Sequence, residues 1–366
     1  MNIVVIAYAC RTSGALTIYS QFIKHLDYLK EDDNWSVFID ESMDHPDLGS
    51  KVKYYYITDH SWLRRIRYDS GEFEKMLESR DIHPDVYVSL QNTGLVTNKR
   101  QVIYYHQPLP LYNPRLNIFN AEERRMFLYS KFYGWFVART INSTTDVVVQ
   151  IPYIAEGVIK KYGIPADRVH VLFPDVEKIN PDDIEAHKFE QDTINLLFPA
   201  GPMVYKNHKL LIRAVSFLKQ SNPSLVANVK VLFTFADDGK LELKKLSKEL
   251  KVESNFVFHP ELSHDKLLSY YKGADGVLFP STIETLGLPL LEAASFGLPI
   301  VVADLPYSHQ VLHNYEGAFY TKVESVETWA SAIERISTIK KRYGRLVTDE
   351  ESSWGAFFSI VKNNKS

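Results

Sequence analysis

One cysteine, Cys10, is present in 366 residues. A disulfide needs two, so no intrachain bridge can brace the fold, and the count suits a reducing compartment. No apolar run approaches the roughly 20 residues that a bilayer-crossing helix needs, and no transmembrane span is expected. A basic surplus is also missing. Lys and Arg number 42 against 45 Asp and Glu, a net charge of -3, whereas a dedicated nucleic-acid binder carries a clear positive excess. The apolar opening Met1–Cys10 lacks the positively charged flank of a signal peptide and reads as a buried first strand. These absences together predict a soluble, cytoplasmic chain with no nucleic acid partner. No internal repeat or low-complexity tract is visible. The absence of Gly-x-Gly-x-x-Gly weakens a dehydrogenase, and the absence of Gly-x-x-x-x-Gly-Lys-Ser/Thr argues against a P-loop NTPase.

What is there fits two domains of ordinary size. Hydrophobic residues make up 45% and charged residues 24%, both near globular averages, while 22 Tyr and 20 Phe lift aromatics to 13%. Strand-like runs recur at Asn2–Ala7, Trp35–Ile39, Lys53–Ile57, Val86–Leu90, Val102–Tyr105 and Asp146–Gln150. An apolar face on Leu16–Leu29 (Ile18, Phe22, Leu26, Leu29) predicts a helix after the first strand. Phe173–Glu190, with Pro174, Pro181 and several acidic residues, reads as a linker. A second α/β pattern then runs from Ile194–Phe198 to Val326–Ile339, and Trp354–Val361 reads as a last helix that Ser353 could cap. The predicted architecture is two doubly wound, Rossmann-like α/β domains facing across a cleft, residues 1–175 and 193–345 joined by a linker at 176–192. Ligands are expected at the carboxyl ends of the parallel strands.

The sharpest local signal is Phe279-Pro280-Ser281-Thr282-Ile283-Glu284-Thr285-Leu286-Gly287-Leu288-Pro289-Leu290-Leu291-Glu292-Ala293-Ala294. A strand ends near Pro280 and a helix begins around Gly287, where Pro289 is tolerated because first-turn amides need no helical partner. Gly297, with Pro299 beyond it, stops that helix. Free amides at Thr285, Leu286 and Gly287, with the helix dipole, make an anion site. Glu284 lies just before it and Glu292 about one and a half turns inside, so a carboxylate can stand on each side of a bound diphosphate. Carboxylates accept hydrogen bonds from the vicinal hydroxyls of sugars and riboses. An exposed loop glutamate followed by a helix-surface glutamate would show the same spacing.

This segment resembles the signature of retaining GT-B glycosyltransferases of the family-four type. Phe296-Gly297-Leu298-Pro299-Ile300-Val301-Val302-Ala303-Asp304 continues the likeness, as do Phe256-Val257-Phe258 and Tyr270-Tyr271-Lys272-Gly273-Ala274-Asp275 upstream. The resemblance implies that Glu292 holds the nucleotide ribose and that Glu284 contacts the donor sugar beside the scissile bond. Gly201-Pro202-Met203-Val204-Tyr205-Lys206-Asn207 resembles the family's diphosphate clamp, with Lys206 at the lysine position. Pro202 departs from that pattern, since the family usually carries an arginine close after the glycine. His106, just past a strand end in Tyr104-Tyr105-His106-Gln107-Pro108, resembles the histidine that contacts the donor sugar. Gly14, in the turn after the first strand, matches the small residue that lets the turn approach phosphate and acceptor, and an ordinary turn glycine would look the same. Leu262 falls where the family's backbone reads the base. The resemblance also implies that residues 346–366 cross back to pack on the first domain.

The implied activity is transfer of a sugar from a nucleotide-diphosphate sugar to a saccharide acceptor with retention, in bacterial capsule or O-antigen assembly. No cofactor or metal is expected beyond the donor, and a polyprenyl-diphosphate-linked acceptor is the expected partner class. Asp237-Asp238 is not a persuasive metal site, His309 and His313 read as packing or surface groups, and the sequon at Asn142 has no meaning in a cytosolic protein. Two aromatic-basic stretches, Trp62–Tyr68 and Arg124–Phe136, suit an anionic membrane surface. A helix with a buried aromatic face and solvated charges is the stronger reading of either stretch. A non-catalytic scaffold that keeps the nucleotide pocket is the rival reading, and Pro202 keeps it alive. A nucleotide-sugar epimerase on the same fold is disfavoured by the paired-glutamate helix.

Overall fold

Runs of β-branched and aromatic residues that can be covered on both faces become central parallel strands. Two sets of them are present in the computed structural model of the chain, which describes residues 1–11, 13–28, 33–59, 61–112, 121–235, 240–347 and 352–363. The chain divides into two units, Met1–Asp175 with Glu350–Ser366, and Val176–Asp349.

The first unit contains β1 (Asn2–Ile6), α1 (Ser13–Tyr28), β2 (Asn34–Ile39), β3 (Val52–Tyr56), α2 (Trp62–Arg67), a π turn (Tyr68–Glu72), α3 (Phe73–Ser79), β4 (Val86–Ser89), β5 (Arg100–Tyr104), α4 (Ala121–Thr140), β6 (Thr145–Val149), α5 (Pro152–Tyr162) and β7 (Val169–Val171). Its seven strands lie in the order β3-β2-β1-β4-β5-β6-β7, each pairing parallel. Alternate residues face opposite sides of a strand. Ile3, Val5, Val37, Val86 and Val88 therefore pack with Ile18, Phe22 and Leu26 of α1, while Val4, Ile6, Phe38 and Tyr87 pack with Phe73 and Leu77 on the other side.

The C-terminal helix, Trp354–Lys362, belongs to this unit and completes the first of those cores with Trp354, Phe357, Phe358 and Val361. Trp354 stacks on Tyr104 at 5.9 Å between ring centres and meets Phe22 edge-on at 6.0 Å. Last-turn carbonyls of a helix need donors from outside it, and Arg100 supplies them, donating to Ile360 and, at 2.6 Å, to Val361. Ser353 does not act as the expected side-chain cap. Its backbone is already helical, at φ -78° and ψ -3°, so its oxygen is not set to accept from the amides of the first turn, and its hydroxyl donates to the Phe173 carbonyl.

The second unit contains β8 (Ile194–Phe198), α6 (His208–Ser221), α7 (Pro223–Asn228), β9 (Val229–Thr234), α8 (Lys240–Glu249), β10 (Phe256–His259), α9 (His264–Gly273), β11 (Gly276–Phe279), α10 (Leu288–Ser295), β12 (Ile300–Ala303), α11 (Pro306–Val311), β13 (Ala318–Thr321) and α12 (Val326–Ser337). Its six strands, ordered β10-β9-β8-β11-β12-β13, are also parallel. Residues 176–192 run along α9 within this unit. The His187 amide donates to Ser269 at 2.8 Å, its ring stacks on Tyr270 at 4.0 Å, and Arg345 pairs with Asp182 at 2.7 Å. Asp237-Asp238 lies outside the described residues. Among the described residues no helix is long and apolar enough to cross a membrane.

Because Trp354 is fully buried between two rings, Trp354→Ala is expected to cost the first unit about 3–5 kcal/mol. Amide hydrogen exchange should accelerate across residues 354–362 and β5 while β9 stays protected. Unchanged protection in the C-terminal helix would contradict this packing.

Candidate functional site

In the second sheet the chain leaves β8 for β9 and β10, then returns to β11 on the other side of β8. Loops after β8 and β11 therefore part in opposite directions, and such a switch point leaves a crevice at the carboxyl ends of the strands. Lys206 follows β8 and Glu284 follows β11. The lysine Nζ lies 2.5 Å from Glu284 Oε1, both side chains largely buried. The loops carrying them are bound to each other, since both the amide and the hydroxyl of Thr282 donate to the Tyr205 carbonyl, at 2.8 and 3.1 Å. Tyr307 donates to Ser281 at 2.7 Å and fixes the start of the second loop.

His208 fixes the first. Its Nε2 lies 3.3 Å from the Ala200 carbonyl, and its ring is enclosed by Phe198, Phe233 and Phe235. Burial pushes its pKa down to about 3, so at neutral pH the ring is an uncharged donor holding the turn before Gly201.

Gly287 opens α10 with φ 73° and ψ 56°, the left-handed region. A Cβ there would also sit 3.3 Å from Leu290 Cδ1, so glycine is required on two counts. Among the described residues the amides of Thr285, Leu286 and Gly287 donate to no protein acceptor. Leu286 turns its side chain into the core, which leaves its backbone as the available group. Glu292, on α10, places Oε1 3.3 Å from His264 Nε2, while its buried Oε2 has no hydrogen-bond partner among the described residues. It lines a cavity of ≈ 270 Å³ shared with residues 176–181 and 345–347. Leu262 is half-buried in the loop between β10 and α9.

The first unit has its own switch point, between β1 and β4. Asn92, after β4, adopts φ 71°, and its Oδ1 accepts from the His106 amide at 2.5 Å. His106 Nε2 lies 3.0 Å from the Leu90 carbonyl. Burial, reinforced by the nearby Arg65 cation, pushes its pKa down to about 4. A neutral ring that donates Nε2–H to Leu90 leaves Nδ1 as an acceptor for a hydroxyl. Gly14 is not in a turn as expected. It lies in the first turn of α1, which begins at Ser13, and a Cβ at Gly14 would meet nothing within 4 Å.

The structure thus pairs Lys206 with Glu284 and sets the open amides and Glu292 on the same unit, with His106 and Gly14 on the other. Sequence reading missed His264, whose signal was only a histidine after the cap Ser263. It also missed that Arg65 points inward, donating to the Gln91 carbonyl at 2.7 Å and to Thr93 at 3.2 Å. Buried Asp69 accepts from Thr93 at 2.8 Å, and burial pushes its pKa up to about 7. His309 pairs with Asp304 at 2.7 Å and stacks on Tyr320. Among the described residues no three His, Cys, Asp or Glu side chains are grouped to hold a metal ion.

Ring resonances of His106 and His208 should therefore titrate near 4 and near 3, not near 6.5. The unfolded chain binds these protons first, so each site removes stability as pH falls from about 6.5 toward its folded value, by up to ~1.4 kcal/mol per pH unit. NMR titration checks this, and a midpoint near 6.5 for either ring would contradict its burial.

Comparison with known proteins agrees with this geometry. Residues 180–350 match the family described as glycosyl transferases group 1. The O-antigen chain mannosyltransferase RfbU of Salmonella typhimurium is 24% identical over 254 residues, 68% of each chain. The chain spans 38% to 50% of the length of further curated relatives, D-inositol 3-phosphate glycosyltransferases. Among solved structures, WaaG, a glycosyltransferase involved in lipopolysaccharide biosynthesis, superposes with TM-score 0.67 at 17% identity, covering 93% of this chain and 91% of its own. Anabaena HepE in complex with UDP and glucose gives 0.59 at 15%, covering 92% and 89%. With the loops after β8 and β11 meeting as they do, the chain has the GT-B fold, and its residues 180–350 are similar to the glycosyl transferases group 1 family.

Proposed function

We propose that this chain transfers a sugar, with retention at the anomeric carbon, from a nucleotide-diphosphate sugar to a saccharide acceptor in bacterial surface-polysaccharide assembly. The observation that carries the reading is the Lys206–Glu284 pair beside open amides at the head of α10. The O-antigen chain mannosyltransferase RfbU and the lipopolysaccharide glycosyltransferase WaaG support the polysaccharide context.

Breaking the sugar–phosphate bond places positive charge on the sugar and negative charge on the departing diphosphate. Lys206 and the amides of Thr285, Leu286 and Gly287 stabilise the leaving charge, in place of a divalent metal. Glu284, released from the lysine as phosphate takes its place, faces the sugar. Glu292 accepts from the ribose hydroxyls, and the backbone at Leu262 reads the base. In the first unit taken by itself, His106 Nδ1 is an acceptor suited to a sugar hydroxyl, and the first turn of α1 at Gly14 is suited to phosphate or acceptor. The C1–O bond to phosphate breaks as the acceptor oxygen bonds to C1. The acceptor's proton passes to the leaving phosphate oxygen. Glu284 and Glu292 are not a hydrolase pair, because Glu292 stands on a helix past the anion site and not across the sugar.

The exposed faces of α2 and α4 suit a lipid-linked acceptor and peripheral contact at the inner membrane face. Leu63, Leu128 and Trp135 are 74%, 59% and 57% exposed, and Trp62 stacks with Tyr129 and Tyr133 between them. Arg67, Lys131 and Arg139 supply positive charge along these helices. Arg65, turned inward, does not take part.

Calorimetry with UDP, GDP, dTDP and CMP tests the reading. One nucleotide should bind selectively, and Glu292→Ala should weaken it at least ~10-fold. No binding by any of them moves the assignment to a non-catalytic scaffold. Lys206→Ala should lower kcat by about 10²–10³, and activity should survive EDTA. Full loss on chelation with recovery on Mn²⁺ would refute the metal-free leaving group, and an inverted anomer by product NMR would refute retention. The membrane assignment falls if the protein does not float with anionic liposomes at low salt.

A further inference from the structure

Ser263 caps α9 by accepting from the Lys266 amide at 3.4 Å, which sets His264 in the first turn. The imidazole stands between two carboxylates. Nε2 is 3.3 Å from Glu292 Oε1, and Nδ1 is 3.6 Å from Glu177 Oε2. Glu292 itself is therefore held at one oxygen only. Its buried Oε2 has no hydrogen-bond partner among the described residues, and the Tyr271 hydroxyl, near enough to feel the Glu292 carboxylate, donates to the Pro289 carbonyl at 3.3 Å. A buried carboxylate oxygen without a donor is costly unless a ligand supplies one.

We infer that His264 is a positioning residue for the nucleotide. It holds Oε1 of Glu292 so that Oε2 meets the vicinal hydroxyls of a ribonucleoside diphosphate, with Glu177 orienting the ring from the far side. This rests on the reading of Glu292 as the ribose ligand. A free glutamate samples several rotamers, and pinning one oxygen removes that freedom before the ligand arrives. The same short segment carries Leu262, so one loop aligns both the base and the ribose contacts. Only part of the imidazole is covered, which keeps it in exchange with solvent protons.

The groups facing the ring are Glu292, Glu177 and Asp265 of its own first turn. The hydrogen bond to Glu292 is the largest influence, and together these acids hold the imidazole above its ordinary pKa against the opposing effect of burial. Below that value the ring donates from both nitrogens. Above it, one nitrogen becomes a lone pair facing a carboxylate, and Glu292 loses its cationic anchor. Nucleotide affinity therefore falls as pH rises through the raised value.

The test is calorimetry on the full chain with whichever of UDP or GDP binds, beside its 2′-deoxy counterpart, from about pH 6 to about 8.5. Wild type, His264→Ala, His264→Gln and Glu292→Ala are compared, with thermal melts confirming that each is folded. His264→Ala should weaken the ribonucleotide about three- to tenfold and leave the 2′-deoxynucleotide nearly unchanged. His264→Gln, whose amide can donate to Oε1 at any pH, should recover most of that affinity. Subtracting its curve from wild type cancels the nucleotide's own phosphate titration and should leave a fall in affinity with rising pH, and a flat difference overturns the inference. Equal weakening of both nucleotides, or none, overturns the inference while Glu292→Ala still loses binding. If Glu292→Ala binds like wild type, the ribose assignment of Glu292 fails first, and that outcome is separate.

Discussion

A parallel sheet cannot pair every loop with its neighbour. Where the strand order reverses, two adjacent strands send their chains apart, and the space between must be held open by something other than sheet hydrogen bonds. Between β8 and β11 that constraint is met by Thr282, which gives both of its donors to the Tyr205 carbonyl. Everything that follows depends on this tie. It sets Lys206 against Glu284 and brings the turn at Gly287 round into α10, and three amides and one carboxylate oxygen of Glu292 have no hydrogen-bond partner among the described residues. Buried polar groups normally find partners within the fold, and this cluster is the observation on which the proposed donor site rests.

Two histidines show how the same physics rigidifies each unit. His208 and His106 are both buried against backbone carbonyls just past strand ends, and burial keeps both uncharged. Each acts as a neutral donor that fixes a loop. His264 differs because two carboxylates face it and solvent reaches it. Its charge follows pH, while theirs does not over the range in which the chain works.

The fold was legible in the chain to within a residue or two at most strands, because strands buried on both faces need unbroken apolar runs such as Val-Val-Ile and Ile-Val-Val. The helix start at Gly287 was legible for a similar reason, since the left-handed turn and the first-turn Pro289 leave few alternatives. Strand β7, helix α5 and strand β13 were not singled out, being short or partly exposed. Gly14 fell inside the first turn of α1, where glycine's broad backbone freedom includes helical geometry and gives no local sign of the boundary. Ser353 found a distant carbonyl, a choice that local capping rules cannot foresee. Arg65 looked like a surface cation from its basic neighbours and proved to face inward.

By itself the sequence determined the two α/β units and the strand–loop–helix at 279–294, and it picked out the groups proposed above to bind a diphosphate and a diol. Local periodicity, glycine and proline carry that information because they act within a few residues of themselves. Tertiary structure alone decided that Lys206 meets Glu284 across 78 positions and that one oxygen of Glu292 stays open. It also decided that a histidine 28 positions away holds the other. Those facts depend on strand order and on which side chain reaches which carbonyl, and nothing local in the chain encodes either.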